Sequence, residues 1–280
     1  MPAEIIDGKA IAMQIKSEIK EKAAAMKQKP GLAVVRVGDD PASIVYVNAK
    51  ERACTEVGFY SEKYELKEDV EEDELFKLIA KLNKSKKIHG ILVQLPLPAH
   101  INEEKVLFAV SAEKDVDGFN PVNYGKLFAG NNYLVPATPK GVIRLLDIMN
   151  YDVSGKNAVV IGRSNIVGKP VALLLLQKNA IVTICHSKTK DLVSECKKAD
   201  ILVSAVGMPG LVTKDMVKKG AVVIDVGITR KDGKLYGDVD FNGVKEVAGY
   251  ITPVPGGVGP MTIAMLLENT LIAAKNQGVK

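Results

Sequence analysis

Short apolar runs alternate with stretches of helical spacing along most of the chain. In the first half, three such runs predict strands. In the second half, four runs rich in Val and Ile are nearly continuous, which is typical of parallel strands covered by crossover helices on both faces. The predicted strands are residues 31–37, 59–66 and 89–95, followed by 157–162, 180–185, 199–206 and 221–227.

Helical patterns lie between these strands, so each half predicts a βαβ series. The fold class is therefore α/β, with two α/β domains of which the second is a Rossmann-like parallel sheet. We expect a ligand cleft between the two domains. The first domain is assigned to residues 1–138, with a C-terminal helix at 262–280 packing back on it, and the second to 139–261. The predicted helices are 41–57, 71–85, 138–150, 168–178, 189–198, 213–218 and 260–276, and residues 117–139 are predicted to be rich in turns.

Composition and charge exclude several classes of partner. The net charge of +5 is scattered, and the chain lacks Trp and has few aromatic residues, which argues against nucleic-acid binding. The longest apolar run, residues 171–176, is far shorter than the ~20 residues that cross a bilayer. The first ten residues include Glu4 and Asp7 and do not resemble a secretory signal. We therefore expect no membrane association.

The cysteines and histidines predict neither a disulfide framework nor a metal site. The three cysteines are odd in number and have no C-x-x-C spacing, which favours reduced thiols and a cytoplasmic location. The three histidines lie far apart and lack the spacing of metal ligands.

The stretch VVIGRSNIVGKP, residues 159–170, predicts a strand, a glycine loop and a helix. Gly162 ends the strand, Gly168 opens the helix, and Pro170 suits the first helical turn. The N–H groups at such a helix start attract phosphate. However, the glycine spacing is not G-x-G-x-x-G, so an ordinary strand-to-helix turn explains the pattern about as well.

The strand after this loop favours NADP over NAD. An NAD site usually has a carboxylate there, which accepts a hydrogen bond from the ribose 2′-hydroxyl. In this chain the strand leads into HSKTK, and the next carboxylate is Asp191. Arg163 is suited to a 2′-phosphate, because a guanidinium binds phosphate through paired hydrogen bonds. For Lys188 and Lys190, a solvated loop is the simpler interpretation.

Ser43, Tyr46 and Lys50 share one face of the predicted helix 41–57. A Tyr–Lys pair at this spacing is usually only a packing feature. In a cleft, burial would lower the pKa of the lysine and allow acid–base chemistry. The segment YVNAK also fits the Y-x-x-x-K motif of short-chain dehydrogenases. In that family the glycine loop precedes the tyrosine, whereas here it follows, so the order argues against that alternative.

Three further stretches are more specific: VQLPLPAH (93–100), KDVDGFNPVN (114–123) and ITPVPGGVGPMTIAML (251–266). With them, the chain resembles the bifunctional methylenetetrahydrofolate dehydrogenase/methenyltetrahydrofolate cyclohydrolase family from end to end. The matching segments are SIVYVNAK with Ser43, Tyr46 and Lys50, VQLPLP with Gln94, KDVDGF with Asp117, TPKG at 138–141, GRSNIVGKP, CHSKT and TPVPGGVGPMT.

The resemblance implies two consecutive reactions of one-carbon metabolism and a homodimer formed through the cofactor-binding units. NADP⁺ oxidises 5,10-methylenetetrahydrofolate to the methenyl cation, which water then opens to 10-formyltetrahydrofolate. Residues 1–138 would be the folate-binding catalytic domain and 139–261 the NADP-binding domain. Lys50 would be the acid–base group, oriented by Tyr46 and Gln94, and Asp117 would anchor the folate. The other expected folate contacts are Ser43, Val93, Leu95, Pro255, Gly256 and Gly259, and those of NADP are Gly162, Arg163, Ser164, Ser187 and Ile228.

Three alternatives remain open from the residues alone. A family member could retain the dehydrogenase and have negligible cyclohydrolase activity. A short-chain-type reductase could use Tyr46 and Lys50 on another substrate. A regulator that binds folate or nucleotide without catalysis would be expected to have lost Lys50 or the loop residues, and this chain retains them.

Overall fold

The computed structural model describes residues 2–279. The strands in this part of the chain are β1 (Glu4–Ile5), β2 (Gly31–Val37), β3 (Tyr60–Leu66), β4 (Gly90–Val93), β5 (Asn157–Ile161), β6 (Ile181–Cys185), β7 (Ile201–Ser204), β8 (Val222–Asp225), β9 (Thr229–Lys231), β10 (Lys234–Tyr236) and β11 (Tyr250–Ile251). The α-helices are α1 (Gly8–Ala24), α2 (Pro41–Val57), α3 (Glu72–Lys84), α4 (Glu103–Ala109), α5 (Pro121–Phe128), α6 (Ala137–Ile148), α7 (Gly168–Gln177), α8 (Leu192–Lys197), α9 (Phe241–Lys245) and α10 (Val258–Asn276).

The chain divides into two compact units, each built from separate stretches of sequence. The six-stranded unit contains residues 2–13 and Thr138–Thr262. The three-stranded unit contains Gln14–Ala137 and residues 263–279. The first residues thus belong to the six-stranded unit, whereas the sequence analysis assigned them to the first domain. The physical reason is that β1 pairs in parallel with β11, and a strand of two residues leaves no periodic pattern to detect.

The larger sheet is parallel throughout and has the strand order β1-β11-β8-β7-β5-β6. Its inner strands are almost wholly buried, as expected for parallel strands covered on both faces. After β5 the chain passes to β6 on one side and then returns to β7 on the other side of β5. Such a reversal opens a crevice outside the carboxyl ends of the two diverging strands, where α/β proteins bind ligands.

The smaller sheet is also parallel, with β2 between β3 and β4. Every residue of β2 is buried. Helix α3 packs its apolar face, Leu75, Ile79 and Leu82, into the core beside this sheet. The same spacing was the signal that predicted the helix.

Four of the helices described above, α1, α4, α5 and α9, were not predicted from the sequence, and two of them carry recognisable signals. Helix α1 buries Ala12, Ile15, Ile19 and Ala23, a spacing of three and four residues that was available as a signal. Helix α5 lies within the stretch that was predicted to be rich in turns. It forms because Asn120 Oδ1 accepts a hydrogen bond from Val122 N at 2.9 Å, and because proline is favoured in a first helical turn.

Asn269 on α10 ties this helix to two loops of the three-stranded unit. Its side chain is fully buried, and Nδ2 donates to the carbonyl oxygens of Val116 and Val135, both at 2.8 Å. A buried carbonyl that loses its donor costs ~1–3 kcal/mol. These bonds therefore contribute to the attachment of the last helix to its unit.

Replacing Asn269 by Ala should lower the free energy of unfolding by about 2–4 kcal/mol, because two carbonyls lose their donor and a small cavity forms. Urea denaturation followed by circular dichroism measures this change. Lys275→Ala on the exposed side of the same helix is the matched control and should change stability by less than about 0.5 kcal/mol. Equal effects of the two substitutions would contradict the role of Asn269.

Candidate active site

Helix α2 presents three of the predicted site residues on one face. Its start is fixed by Asp40, whose Oδ2 accepts a hydrogen bond from Ser43 N at 2.7 Å. Ser43 is buried, Tyr46 is 38% exposed and Lys50 is half-buried. The spacing of three and four residues aligns these side chains along the helix.

Lys50 contacts Gln94, which follows β4 directly. Lys50 Nζ donates to Gln94 Oε1 at 2.9 Å. Gln94 Nε2 donates to Leu95 O at 2.7 Å, and the backbone N of Gln94 donates to Val35 O at 2.8 Å. The amide is thereby held with its oxygen toward the lysine. The neighbouring Val93 is buried in β4, and Leu95 is partly buried.

Asp117 lies on a tight turn that runs beside β4. The preceding segment is attached to the strand through a hydrogen bond from Ile91 N to Lys114 O at 2.7 Å. Gly118 has φ +74°, and a Cβ atom there would lie 2.5 Å from Pro136 N, so the turn requires glycine. Buried Asp115 accepts a hydrogen bond from Asn120 N at 2.7 Å, which further fixes the turn.

The charges of Lys50 and Asp117 influence each other. Burial lowers the pKa of the Lys50 amine, and the nearby Asp117 charge acts in the opposite direction. Burial raises the pKa of Asp117 to about 6, while Lys50 lowers it and Asp115 raises it further. Both groups are therefore suited to exchange protons closer to neutral pH than they would in water.

Tyr124 on α5 is a feature that sequence reasoning missed. Its hydroxyl oxygen is buried and has no hydrogen-bond partner among the residues that the structure describes. Burial raises the pKa of Tyr124, and the charges of Asp115 and Asp117 raise it further. No periodicity or motif in the sequence distinguishes this tyrosine from a packing residue.

The glycine loop after β5 is closed by backbone contacts. Gly162 has φ +125°, and a Cβ atom there would lie 2.6 Å from Ala205 O. A Cβ atom on Gly168 would lie 2.3 Å from Gly162 O. Ser164 Oγ accepts hydrogen bonds from Val167 N and Gly168 N, at 3.2 and 3.3 Å, at the start of α7. The two glycines thus have a close-approach function that the spacing alone left undecided.

The remaining predicted cofactor residues come after the carboxyl ends of three strands in the larger sheet. Arg163 follows Gly162 after β5, Ser187 follows β6, and Ile228 follows β8. Because the strands are parallel, these ends share one edge of the sheet. Arg163 and Ser187 are exposed, and Ile228 is 42% exposed although it is apolar. Arg163 and Ser187 therefore offer a guanidinium and a hydroxyl at the edge where a phosphate-bearing ligand would bind.

The glycine-rich segment before α10 contains the last predicted contacts. Gly256 has φ +108°, and its carbonyl oxygen accepts a hydrogen bond from Lys9 N at 2.9 Å. A Cβ atom on Gly259 would lie 3.8 Å from Ile228 Cδ1, so this glycine adjoins a predicted cofactor residue. Pro255 is exposed beside Gly256.

Residues 2–279 contain neither a candidate metal centre nor a candidate membrane span. No group of three or more His, Cys, Asp or Glu side chains within this range could hold a metal ion. None of the helices described for this range is long and apolar enough to span a membrane.

Two family models match the chain. The catalytic domain of tetrahydrofolate dehydrogenase/cyclohydrolase matches residues 6–117, and the NAD(P)-binding domain of the same enzymes matches residues 136–278. The chain belongs to the tetrahydrofolate dehydrogenase/cyclohydrolase family. This finding confirms the predicted family, and the two matched domains confirm that the chain is a dehydrogenase and cyclohydrolase.

Individual members of the family are similar over nearly their whole length. The bifunctional protein FolD of Moorella thermoacetica is 60% identical over 279 residues, covering 98% of this chain and all of the relative. The crystal structure of the bifunctional enzyme FolD from Campylobacter jejuni is 50% identical, with a TM-score of 0.96 over 98% of this chain and 99% of its own. The Trypanosoma brucei enzyme, solved with NADP cofactor and an inhibitor, is 40% identical, with a TM-score of 0.94 over 99% of this chain and 98% of its own. The predicted class of two α/β domains with a Rossmann-like parallel sheet is confirmed.

The coupling of the two charged groups can be measured directly. Asp117 should titrate near pH 6 in carboxyl carbon NMR, and Lys50→Met should raise its pKa, because the lysine charge favours the ionised carboxylate. Lys105→Met, on the exposed side of α4, removes a lysine charge elsewhere and should leave the titration unchanged. An unaltered Asp117 titration in the Lys50 variant would exclude the coupling.

Proposed function

We propose that Lys50, Gln94 and Asp117 perform the folate chemistry of this enzyme. The enzyme oxidises 5,10-methylenetetrahydrofolate to 5,10-methenyltetrahydrofolate with NADP⁺ and then hydrolyses the product to 10-formyltetrahydrofolate. The observation that carries the proposal is the 2.9 Å hydrogen bond between Lys50 Nζ and Gln94 Oε1, beside a carboxylate whose pKa is raised to about 6. We assign folate binding to the three-stranded unit, which holds most of the first predicted domain, residues 1–138 with the helix at 262–280. We assign NADP binding to the six-stranded unit, which holds residues 139–261.

The donor groups on the larger sheet fit NADP. Gly162 and Gly168 permit close approach of the backbone, and residues 186–190 after β6 include the hydroxyl group of Ser187 and no carboxylate. A carboxylate at that position would repel a 2′-phosphate, whereas Arg163 and Ser187 would bind it. Ser164 Oγ already accepts from the first N–H groups of α7, so the pyrophosphate is expected to be held partly by other donors.

The dehydrogenase step needs positioning more than proton transfer. The bound cofactor supplies the hydride acceptor, and the two folate nitrogens stabilise the cation that forms. Holding two reactants in register can supply ~7–11 kcal/mol of the barrier. We assign the positioning of the cofactor to the apolar surface of Ile228 and to the contacts of Gly162 and Ser164. We assign the positioning of the folate to Asp117.

Asp117 is proposed to anchor the pterin ring. An ionised carboxylate accepts two hydrogen bonds, which matches the paired N–H groups of the amino-pyrimidinone edge. Ser43, Val93 and Leu95 are proposed to line the folate site with Tyr46. Pro255, Gly256 and Gly259 are proposed as backbone contacts to the substrate.

The cyclohydrolase step needs a group that moves protons. Water must lose a proton as it attacks the methenyl carbon, and the departing ring nitrogen must gain one. Burial lowers the pKa of Lys50, so that its neutral amine is more accessible near pH 7. Gln94, whose Nε2 is held by Leu95 O, accepts from this amine and keeps it oriented, and Tyr46 provides a hydroxyl on the same helical face. We retain Lys50 as the acid–base group.

The family match disfavours a short-chain-type reductase. A dehydrogenase-only enzyme is disfavoured by the intact hydrogen bond between Lys50 and Gln94. We further propose that the enzyme acts in the cytoplasm, in the one-carbon metabolism that supplies purine, histidine and methionine biosynthesis. Its three free, buried cysteines support that location.

A homodimer is proposed through the edge of the larger sheet. Strand β6 is one of the two edge strands of this sheet, and Leu176, Ile181 and Ile184 on α7 and β6 expose 57%, 60% and 40% of their surfaces. Exposed apolar side chains along an edge strand are suited to pairing with a second copy. Sedimentation that detects only monomers at micromolar concentration would contradict this assignment.

Lys50→Met should reduce the rate of methenyltetrahydrofolate hydrolysis by at least ~10²-fold, because a general base typically contributes 10²–10⁴-fold. Decay of added methenyltetrahydrofolate measures this step without the oxidation. Lys50→Arg, which retains the charge but does not release a proton near neutral pH, should also be inactive in hydrolysis. Near-normal hydrolysis in either variant would remove Lys50 from the mechanism.

Arg163→Ala should raise the KM for NADP⁺ at least ~10-fold and leave the KM for NAD⁺ nearly unchanged, because only NADP⁺ carries the 2′-phosphate. Parallel assays with both cofactors measure the ratio. Lys190→Ala, in the exposed loop after β6, is the control, since a solvated lysine should affect the ratio little. An unchanged ratio in the Arg163 variant would refute the assignment.

A further inference from the structure

Two buried carboxylates in the six-stranded unit have no part in the chemistry above. Asp238 has no exposed surface, and Asp225 is 3% exposed. Asp238 Oδ2 accepts hydrogen bonds from Ser204 Oγ at 2.9 Å and Val206 N at 2.8 Å, and its Oδ1 accepts from Met208 N at 2.7 Å. One carboxylate thus holds the end of β7 and two backbone N–H groups beyond it.

Thr229 provides a second attachment for the segment 205–208. Thr229 Oγ1 donates to Gly207 O at 3.1 Å, so three successive residues after Ala205 have a fixed backbone group. The segment also borders the glycine loop, because Ala205 O lies where a Cβ atom on Gly162 would be, at 2.6 Å. It therefore forms one wall of the crevice at the carboxyl ends of β5 and β7.

Asp225 in turn holds Asp238 in place. Its Oδ1 accepts from Asp238 N at 2.9 Å and from Gly227 N at 3.0 Å, and its Oδ2 accepts from Val239 N at 2.9 Å. A Cβ atom on Gly227 would lie 2.1 Å from Asp238 Oδ1. Because Gly227 immediately precedes Ile228, the same two carboxylates also fix the segment that carries this predicted cofactor contact.

Holding a loop with two buried carboxylates costs free energy of folding, because charged groups are removed from water. Every hydrogen bond that the described residues give these two carboxylates comes from a neutral backbone N–H or hydroxyl group. Burial raises the pKa of Asp225 to about 6, and the charge of Asp238 adds to that rise. Features that oppose stability in this way concentrate at functional sites, where geometry matters more than stability.

We propose that Asp238 is a positioning residue for hydride transfer, acting through segment 205–208 on the nicotinamide half of the cofactor. The inference rests on the proposed function, in which Arg163 and Ser187 bind the adenosine 2′-phosphate beyond β5 and β6. A dinucleotide spans the switch point, so its other half lies over the ends of β7 and β8. At these strand ends, Asp238 fixes the segment 205–208 that forms one wall of the crevice. Asp225 in turn fixes the position of Asp238.

The test compares both activities in the same protein. Asp238→Asn keeps the shape but replaces one acceptor oxygen with an NH₂ group, which then faces an N–H donor of Val206 or Met208. We expect kcat of the dehydrogenase to fall about 10–100-fold, as a displacement of roughly 1 Å can cause, while hydrolysis of added methenyltetrahydrofolate per folded molecule changes less than about 2-fold. With substrate deuterated at the methylene carbon, the isotope effect on kcat should rise, because hydride transfer becomes more rate-limiting.

Thr229→Val covers the case in which Asp238→Asn does not fold. It removes only the donor to Gly207 O at a partly exposed position and should lower dehydrogenase kcat about 3–10-fold. Thr213→Val, which removes a threonine hydroxyl donor to Asp215, is the matched control and should leave kcat unchanged.

Parallel loss of both activities, an unchanged isotope effect, or a Thr229 variant with normal kcat would each overturn the proposal. Wild-type protein that fails to reduce NADP⁺ would instead count against the proposed function.

Discussion

Parallel pairing in both sheets is the constraint on which the rest of the structure depends. It places the carboxyl ends of all strands on the same side of a sheet, so that residues far apart in the chain become neighbours there. In the larger sheet this applies to Gly162, Ala205 and Ile228, which follow three different strands. In the smaller sheet, Gln94 at the end of β4 meets a lysine 44 positions earlier. The chemistry of each unit is therefore assembled by topology, and local sequence supplies only the individual groups.

The charged groups near these strand ends are all partly removed from water. Lys50, Asp117 and Asp225 all have pKa values displaced toward neutrality, and burial is the largest cause in each case. Hydrogen bonds and opposite charges reduce the displacement without abolishing it. A fold selected for stability alone would place such groups in solvent or pair each with a counter-ion. Their burial therefore favours reactivity and geometry over stability at these positions.

Much of the architecture could be predicted from the sequence because long elements leave periodic signals. The central strands, helix α2 and the helix after the glycine loop all follow from apolar spacing and cap residues. The two-residue strand β1 could not be found, because two residues have no period. Helix α5 was missed although Asn120 and Pro121 signal a helix start, since the surrounding glycines and asparagines suggested turns.

The candidate site could likewise be predicted only in part from the sequence. Tyr46 and Lys50 could be paired from their helical spacing, and Gly162 from its place after a strand. The partner of Lys50, by contrast, lies 44 residues further along the chain at the end of β4, and only the family resemblance connected the two residues, because no local pattern encodes that contact. The hydrogen bonds of Asp238 and the buried hydroxyl of Tyr124 depend on tertiary packing alone. Burial and pairing across the chain are the properties that spacing rules cannot supply.

The division of the chain into discontinuous units has a consequence for its synthesis on the ribosome. The six-stranded unit needs residues 2–13 as well as Thr138–Thr262, and the three-stranded unit needs residues 263–279. Asn269, which closes two loops of the three-stranded unit, is translated 134 residues after Val135, the nearer in sequence of the two carbonyls that it binds. Neither unit can therefore be completed as a nascent domain while the second half is still being made. The six-stranded unit can close once Thr262 has left the exit tunnel, and the three-stranded unit only after residues 263–279 have followed.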